Sequence, residues 1–177
     1  IPVKEVKENE ALYISASYAD KGSAVVKPLS ANGVYVLRSS KLSFDGVSQM
    51  EGYSAASIGG RKFMVVPADK QGWFGMDSLD LERVPGIALT ARWQSDENAP
   101  KTGYLFELRL GAPEGQKLAE AVLDKALISN KEHMAVLKFS FPVITVAGQQ
   151  NLYIVSTPKD KSENSAIGLG MIELIAK

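Results

Sequence analysis

The chain has 177 residues, with twenty Lys and Arg against twenty Asp and Glu, one histidine and no cysteine. That length suits one sizeable core rather than two. The balanced charge provides no net field to draw nucleic acid or an anionic membrane, and no apolar run approaches the ~18 residues that span a bilayer. Without cysteine there is no disulfide, thiolate zinc site, iron–sulfur cluster or cysteine nucleophile. The redox compartment stays open, and the 45% hydrophobic content describes a chain that folds around a core.

Short runs rich in Val, Ile, Tyr, Phe and Thr, punctuated by Gly, Pro, Asn and Asp, predict strands along the whole chain. The chain begins mid-pattern at Ile1 without a charged-then-apolar leader, which reads as a processed or excised segment of something longer. Strands are expected at 12–18, 34–37, 62–66, 73–81 and 87–93, then at 104–110, 118–123, 134–141, 152–157 and 169–175. Asn32-Gly33 before Val34-Tyr35-Val36 is the strongest short hairpin signal. Gly59-Gly60-Arg61-Lys62 lacks the spacing of a phosphate loop and reads as a turn. Alternation is clearest over 104–110, where Leu105, Glu107 and Arg109 oppose Tyr104, Phe106, Leu108 and Leu110, so that strand should have one wet face. Pro113 and two glycines make Gly111-Ala112-Pro113-Glu114-Gly115 a loop between strands. The good helix formers in 118–127 compete with strand there; strand followed by loop is expected, against a helical turn over 124–128. Polar stretches at 94–102 and 159–165 read as exposed loops. About ten strands without βαβ alternation predict an all-β, two-sheet antiparallel β-sandwich, with a barrel as the alternative.

Catalytic resources are few. His133 sits in the polar run Asn130-Lys131-Glu132-His133, and no Gly-x-Ser-x-Gly elbow is present, so a hydrolase using His133 is a distant alternative. One histidine and no cysteine leave oxygen ligands, which suit calcium or magnesium. Asp80 and Glu82 share a strand face with Asp77 on the other, the pattern of a solvated strand rather than a ligand set. Aromatic residues remain, and sugars pack their C–H faces on such rings while amides and carboxylates hold the hydroxyls. Trp73, Trp93 and Tyr53 are the most suggestive, with Trp73 the more strongly expected in the core. Trp93 runs directly into Gln94-Ser95-Asp96-Glu97-Asn98, so Tyr53, Trp93, Asp96, Glu97 and Asn98 are the candidate ligand-binding residues.

Taken in order, several segments resemble the family 6 carbohydrate-binding modules. Gly103-Tyr104-Leu105-Phe106-Glu107-Leu108-Arg109-Leu110-Gly111 is similar to a family strand reading "(I/L)E(I/V)RL". Gln71-Gly72-Trp73-Phe74-Gly75-Met76-Asp77-Ser78-Leu79-Asp80-Leu81 looks like the family's glycine–tryptophan strand, and Gly86-Ile87-Ala88-Leu89-Thr90-Ala91-Arg92 like the strand after it. Tyr18-Ala19-Asp20-Lys21-Gly22, Pro28-Leu29 and Leu37-Arg38-Ser39 resemble a "YTDKG…PL…LRS" run found before divergent modules in large secreted bacterial proteins with sugar-dehydrogenase-like, trehalose-utilisation-like or c-type cytochrome domains.

The resemblance implies a jelly-roll, galactose-binding-domain-like sandwich in a periplasmic or extracellular protein, binding polysaccharide or oligosaccharide without catalysis. It implies neighbouring domains of a longer polypeptide as partners. The length predicts a single β-sandwich domain over 1–177, with 1–40 expected as an N-terminal extension packed on it. The resemblance also implies a structural calcium, yet the usual Ala-Glu pair is missing from Lys41-Leu42-Ser43-Phe44-Asp45. The family's loop tryptophan has no counterpart in 124–133, nor has its C-terminal Asn-x-Asp in 168–173. The expected function is a non-catalytic module tethering an attached enzyme to glycan. A structural or interaction sandwich that has lost its sugar site is the alternative. No cofactor, nucleic acid or membrane insertion is expected.

Overall fold

A computed structural model describes residues 11–23, 25, 27–82, 84–129, 131–142, 149–160 and 165–175. The chain divides into two compact units, residues 1–39 and 40–177.

The first unit is a hairpin of β1 (Ala11–Ala19) and β2 (Ser30–Arg38), paired antiparallel in unbroken register from Ala11↔Arg38 to Ala19↔Ser30. Its turn is not at Asn32-Gly33, which lie inside β2 opposite Ser17 and Ala16. The chain reverses over 20–29 instead. There the Asp20 Oδ1 accepts from the amides of Gly22 and Leu29, both at 2.9 Å, and the Asp20 amide donates to the Leu29 carbonyl. The Asn-Gly signal presumes a strand immediately before it, whereas the partner of 34–38 is the more distant 11–15.

The second unit contains β3 (Lys41–Leu42), β4 (Val47–Glu51), β5 (Ser54–Ile58), β6 (Arg61–Val65), β7 (Gly72–Asp80) and β8 (Gly86–Trp93). After these come β9 (Tyr104–Leu110), β10 (Gln116–Leu123), the one-turn helix α1 (Lys125–Ile128), β11 (Met134–Ser140), β12 (Gln149–Pro158) and β13 (Ile167–Ile175). One sheet runs β10-β9-β12-β7-β4; the other runs β11-β8-β13-β6-β5, with β3 also pairing β13. All strand pairs are antiparallel. The expected two-sheet sandwich is the fold.

Alternation builds its core. Tyr104, Phe106 and Leu108 of β9 and Phe74 and Met76 of β7 meet Ile87, Leu89 and Ala91 of β8 and Leu137 and Phe139 of β11 in one buried cluster. Burying each such large side chain contributes about 1.5–3 kcal/mol. The Tyr104 hydroxyl avoids an unmet desolvation cost by donating to the Ala68 carbonyl at 3.2 Å and sharing a 2.8 Å hydrogen bond with Ser165 Oγ. Gly59 and Gly60, both at positive φ, make the two-residue turn between β5 and β6.

Three strands, β3, β4 and β5, were not expected. The residues of β4 and β5 are mostly exposed, so these edge strands carry no hydrophobic alternation to betray them. Between 116 and 128 the strand is as expected, but the loop expected after it is instead the helical turn: β10 ends at Leu123, and Asp124 then caps α1 by accepting from the amides of Ala126 and Leu127.

Candidate functional site

The five-stranded sheet buries one face and shows the other. On β9 the inner positions are Tyr104, Phe106 and Leu108, so Leu105, Glu107 and Arg109 point outward and are half-buried, which is the wet face that the alternation announced. Cross-strand register extends that outer face into two rows. One runs Glu120, Glu107, Val155, Trp73, Glu51; the other runs Lys117, Arg109, Tyr153, Gly75, Gln49.

An aromatic step stands at the centre of these rows. The rings of Trp73 and Tyr153 meet edge to face with centroids 5.7 Å apart. Tyr153 is only 5% exposed, and Trp73 is half-buried. Gly75 makes this arrangement fit, because a Cβ there would lie 2.6 Å from the Tyr153 ring. The ring therefore lies flat across β7, in the space that a side chain would take, and Trp73 stands beside it.

Polar groups surround the step. Arg109 donates from Nε at 3.3 Å and Nη2 at 3.0 Å to Glu107 Oε2, and from Nη1 at 3.1 Å to the Gly115 carbonyl. Lys117 Nζ lies 3.4 Å from Glu107 Oε1 and 2.6 Å from Glu120 Oε2. Its hydrogen bonds to Glu120, then to Glu107, keep the ammonium protonated to higher pH than an ordinary lysine. Gln71 Nε2 donates to Thr157 Oγ1 at 3.3 Å. Gln71, Trp73, Arg109, Pro113, Glu114 and Val155 line a shallow cavity of about 160 Å³. An apolar ring edged by amide, guanidinium and carboxylate groups matches the two surfaces of a sugar, its C–H faces and its hydroxyls.

The residues expected to bind ligand lie elsewhere. Tyr53 and Trp93 are core side chains, 7% and 5% exposed, so neither ring offers a stacking face. Tyr53 packs edge-on against Phe74 at 5.1 Å, and burial pushes its phenol well above the ordinary tyrosine pKa. The tryptophan expectation is thus reversed: on β8 the inner set is Ile87, Leu89, Ala91 and Trp93, whereas on β7 Phe74 and Met76 take the inner positions and turn Trp73 outward. Asp96, Glu97 and Asn98 form a 3₁₀ turn after β8. Asn98 Oδ1 accepts from Ser95 Oγ at 2.9 Å, Glu97 is exposed, and Asp96 Oδ1 lies 2.9 Å from His133 Nε2. His133 holds a positive φ, and its carbonyl accepts from the Trp93 amide at 3.0 Å. These groups tie two loops together, and Tyr53 is not among them.

Among the described residues no three Asp, Glu or His side chains converge as metal ligands. In the stretch corresponding to the family's ligand pair, Asp45 is engaged locally, with Ser43 Oγ donating to its carboxylate at 3.1 Å. Asp77, Asp80 and Glu82 are exposed, and Asp80 Oδ1 accepts from the Glu82 amide at 3.1 Å. No helix among the described residues is long and apolar enough to cross a membrane.

Comparison with solved structures shows three similar sugar-binding domains. A family 6 module of Clostridium cellulolyticum in complex with xylose superposes with a TM-score of 0.58 at 13% identity, over 77% of this chain and 97% of that one. A module of Clostridium stercorarium in complex with cellobiose gives 0.57 at 10% identity, over 78% and 95%. A β-1,3-glucan-binding module of Bacillus halodurans gives 0.56 at 15% identity, over 77% and 95%. The fold is that of the family 6 carbohydrate-binding modules. No family model and no curated protein matches the sequence itself. On this face Trp73 stands where the sequence placed a core residue, and Tyr153, Gln71, Glu114 and Lys117 are residues that the sequence did not single out. The signal that could have found Trp73 is the phase of its own strand, where Phe74 and Met76 occupy the other parity.

Proposed function

We propose that this chain is a non-catalytic carbohydrate-binding module whose binding surface is the outer face of the five-stranded sheet. The observation that carries the reading is Trp73, half-buried beside Tyr153 on the space left by Gly75 and edged by Gln71, Arg109 and Glu114. A sugar ring stacks on the indole. Arg109 and Gln71 donate to ring or hydroxyl oxygens, and Glu114 accepts from hydroxyls. The similar modules in complex with xylose and cellobiose, or binding β-1,3-glucan, support polysaccharide as the ligand class. Single sites of this kind bind weakly, so the module serves to hold an attached catalytic domain of a periplasmic or extracellular protein near its substrate.

Affinity electrophoresis of the 177-residue chain through gels containing soluble xylan, mixed-linkage β-glucan or laminarin tests this. Retardation by at least one polysaccharide is expected, and Trp73→Ala should abolish it while Asp96→Ala leaves it unchanged. A folded wild-type chain that migrates freely through every gel would sink the proposal.

A further inference from the structure

The hairpin of β1 and β2 forms a sheet of its own, and among the described residues no strand pairs with the outer edge of either. Two-stranded hairpins are marginal in water, and an unpaired edge is a template for another strand. Proteins blunt such edges with charge, bulges or short strands. The sandwich edges do so: β4 is bulged between Val47 and Gln49 and ends on Glu51, and β10 is bulged between Lys117 and Ala119 and carries Glu120. Likewise β11 carries Lys138, and β5 is five residues long. The β1 edge has none of these defences. Its nine residues, Ala-Leu-Tyr-Ile-Ser-Ala-Ser-Tyr-Ala, include no charge and no proline, and its register with β2 is unbroken. By contrast, β2 ends in Arg38.

We propose that β1 is an interface strand, and that its occupant is β1 of a second copy of this chain, running antiparallel about a two-fold axis through Ser15. The strand is self-complementary in that register. Ile14 falls opposite Ala16 of the second copy, position 12 opposite position 18, and Ser15 opposite itself. Each face of β1 therefore continues into the same face of its copy, and no charge meets a like charge. Closing the edge desolvates only backbone groups that then pair with one another. The product is a four-stranded sheet, past the number a sheet needs for independent stability. Ile14 and Tyr18, now 45% and 67% exposed, lie on one face of β1, and the new seam extends that face. Dimerisation would also place two copies of the sheet-face site on one particle and raise retention on a polymer without any new sugar contact.

Sedimentation velocity of the 177-residue chain, without glycan, tests this independently of sugar binding. The wild type should shift from monomer to dimer with rising concentration. Ser15 is exposed, so Ser15→Lys and Ser15→Asp leave the hairpin intact but set like charges face to face at the axis. Each variant alone should lose the dimer, and an equimolar mixture should restore it. Three results would overturn the proposal: a wild type that stays monomeric over about a thousandfold concentration range, a Ser15→Lys chain that dimerises like the wild type, or a mixture that stays monomeric.

Discussion

Gly75 is the most informative position at which to perturb the sheet face. Its φ lies outside the left-handed region, so alanine is acceptable to the backbone there, and the nearest obstacle is the Tyr153 ring, 2.6 Å from where the methyl would stand. That distance is far inside van der Waals contact, and Tyr153 is wedged against Trp73 with little exposed surface into which it can retreat. Replacing glycine by alanine in a strand gains about 0.5–1 kcal/mol from the unfolded chain, while overpacking costs about 1–3 kcal/mol. The net expectation for Gly75→Ala is a loss of up to about 2.5 kcal/mol, centred near ~1 kcal/mol and read from urea unfolding followed by tryptophan fluorescence. Displacing Tyr153 also tilts Trp73, so glycan affinity should fall about tenfold, equivalent to about 1.4 kcal/mol. The control is Gly75→Ala in a Tyr153→Ala background, where the methyl has room and its cost should vanish. An undiminished cost in that background, or a Gly75→Ala chain with wild-type stability and affinity, would refute the packing argument.

Two further outcomes follow from the core and from the charge network. Trp93→Ala empties a core position and should cost about 3–5 kcal/mol in denaturant unfolding, without the selective loss of glycan retention expected of Trp73→Ala; equal loss of retention at unchanged stability would return Trp93 to the binding surface. Lys117 is held charged by Glu120 and Glu107, so its folded-state pKa lies above the unfolded one. The stability it contributes is present below the ordinary lysine pKa and lost as pH rises through the raised value, a small effect at so exposed a group. Following its ammonium resonance by NMR should show titration above the ordinary lysine value, and Glu120→Gln should lower that midpoint.

The arrangement of layers was written in side-chain alternation. In β8, β9 and β11 the buried apolar residues recur at one parity, and the polar residues Thr90, Arg92, Glu107, Arg109, Lys138 and Ser140 all fall at the other, which marks the inward faces. The same parity, applied to Trp93 alongside Ile87, Leu89 and Ala91, marks it as a core residue. The polar run that follows it drew attention to the wrong ring. Edge strands β4 and β5 stayed hidden because hydrogen bonds to a neighbour, not burial of their own residues, make them strands.

The wet side of β9 was thus present in the sequence, because local period sets which way each side chain points. What only the tertiary structure decided was which residues share that face. Lys117 and Glu120 are of opposite parity and point the same way only because β10 is bulged between Lys117 and Ala119. Tyr153 reaches Trp73 only because the register of β12 on β7 sets it over Gly75. Bulges and register arise from pairing between strands distant in the chain, and no local pattern encodes them.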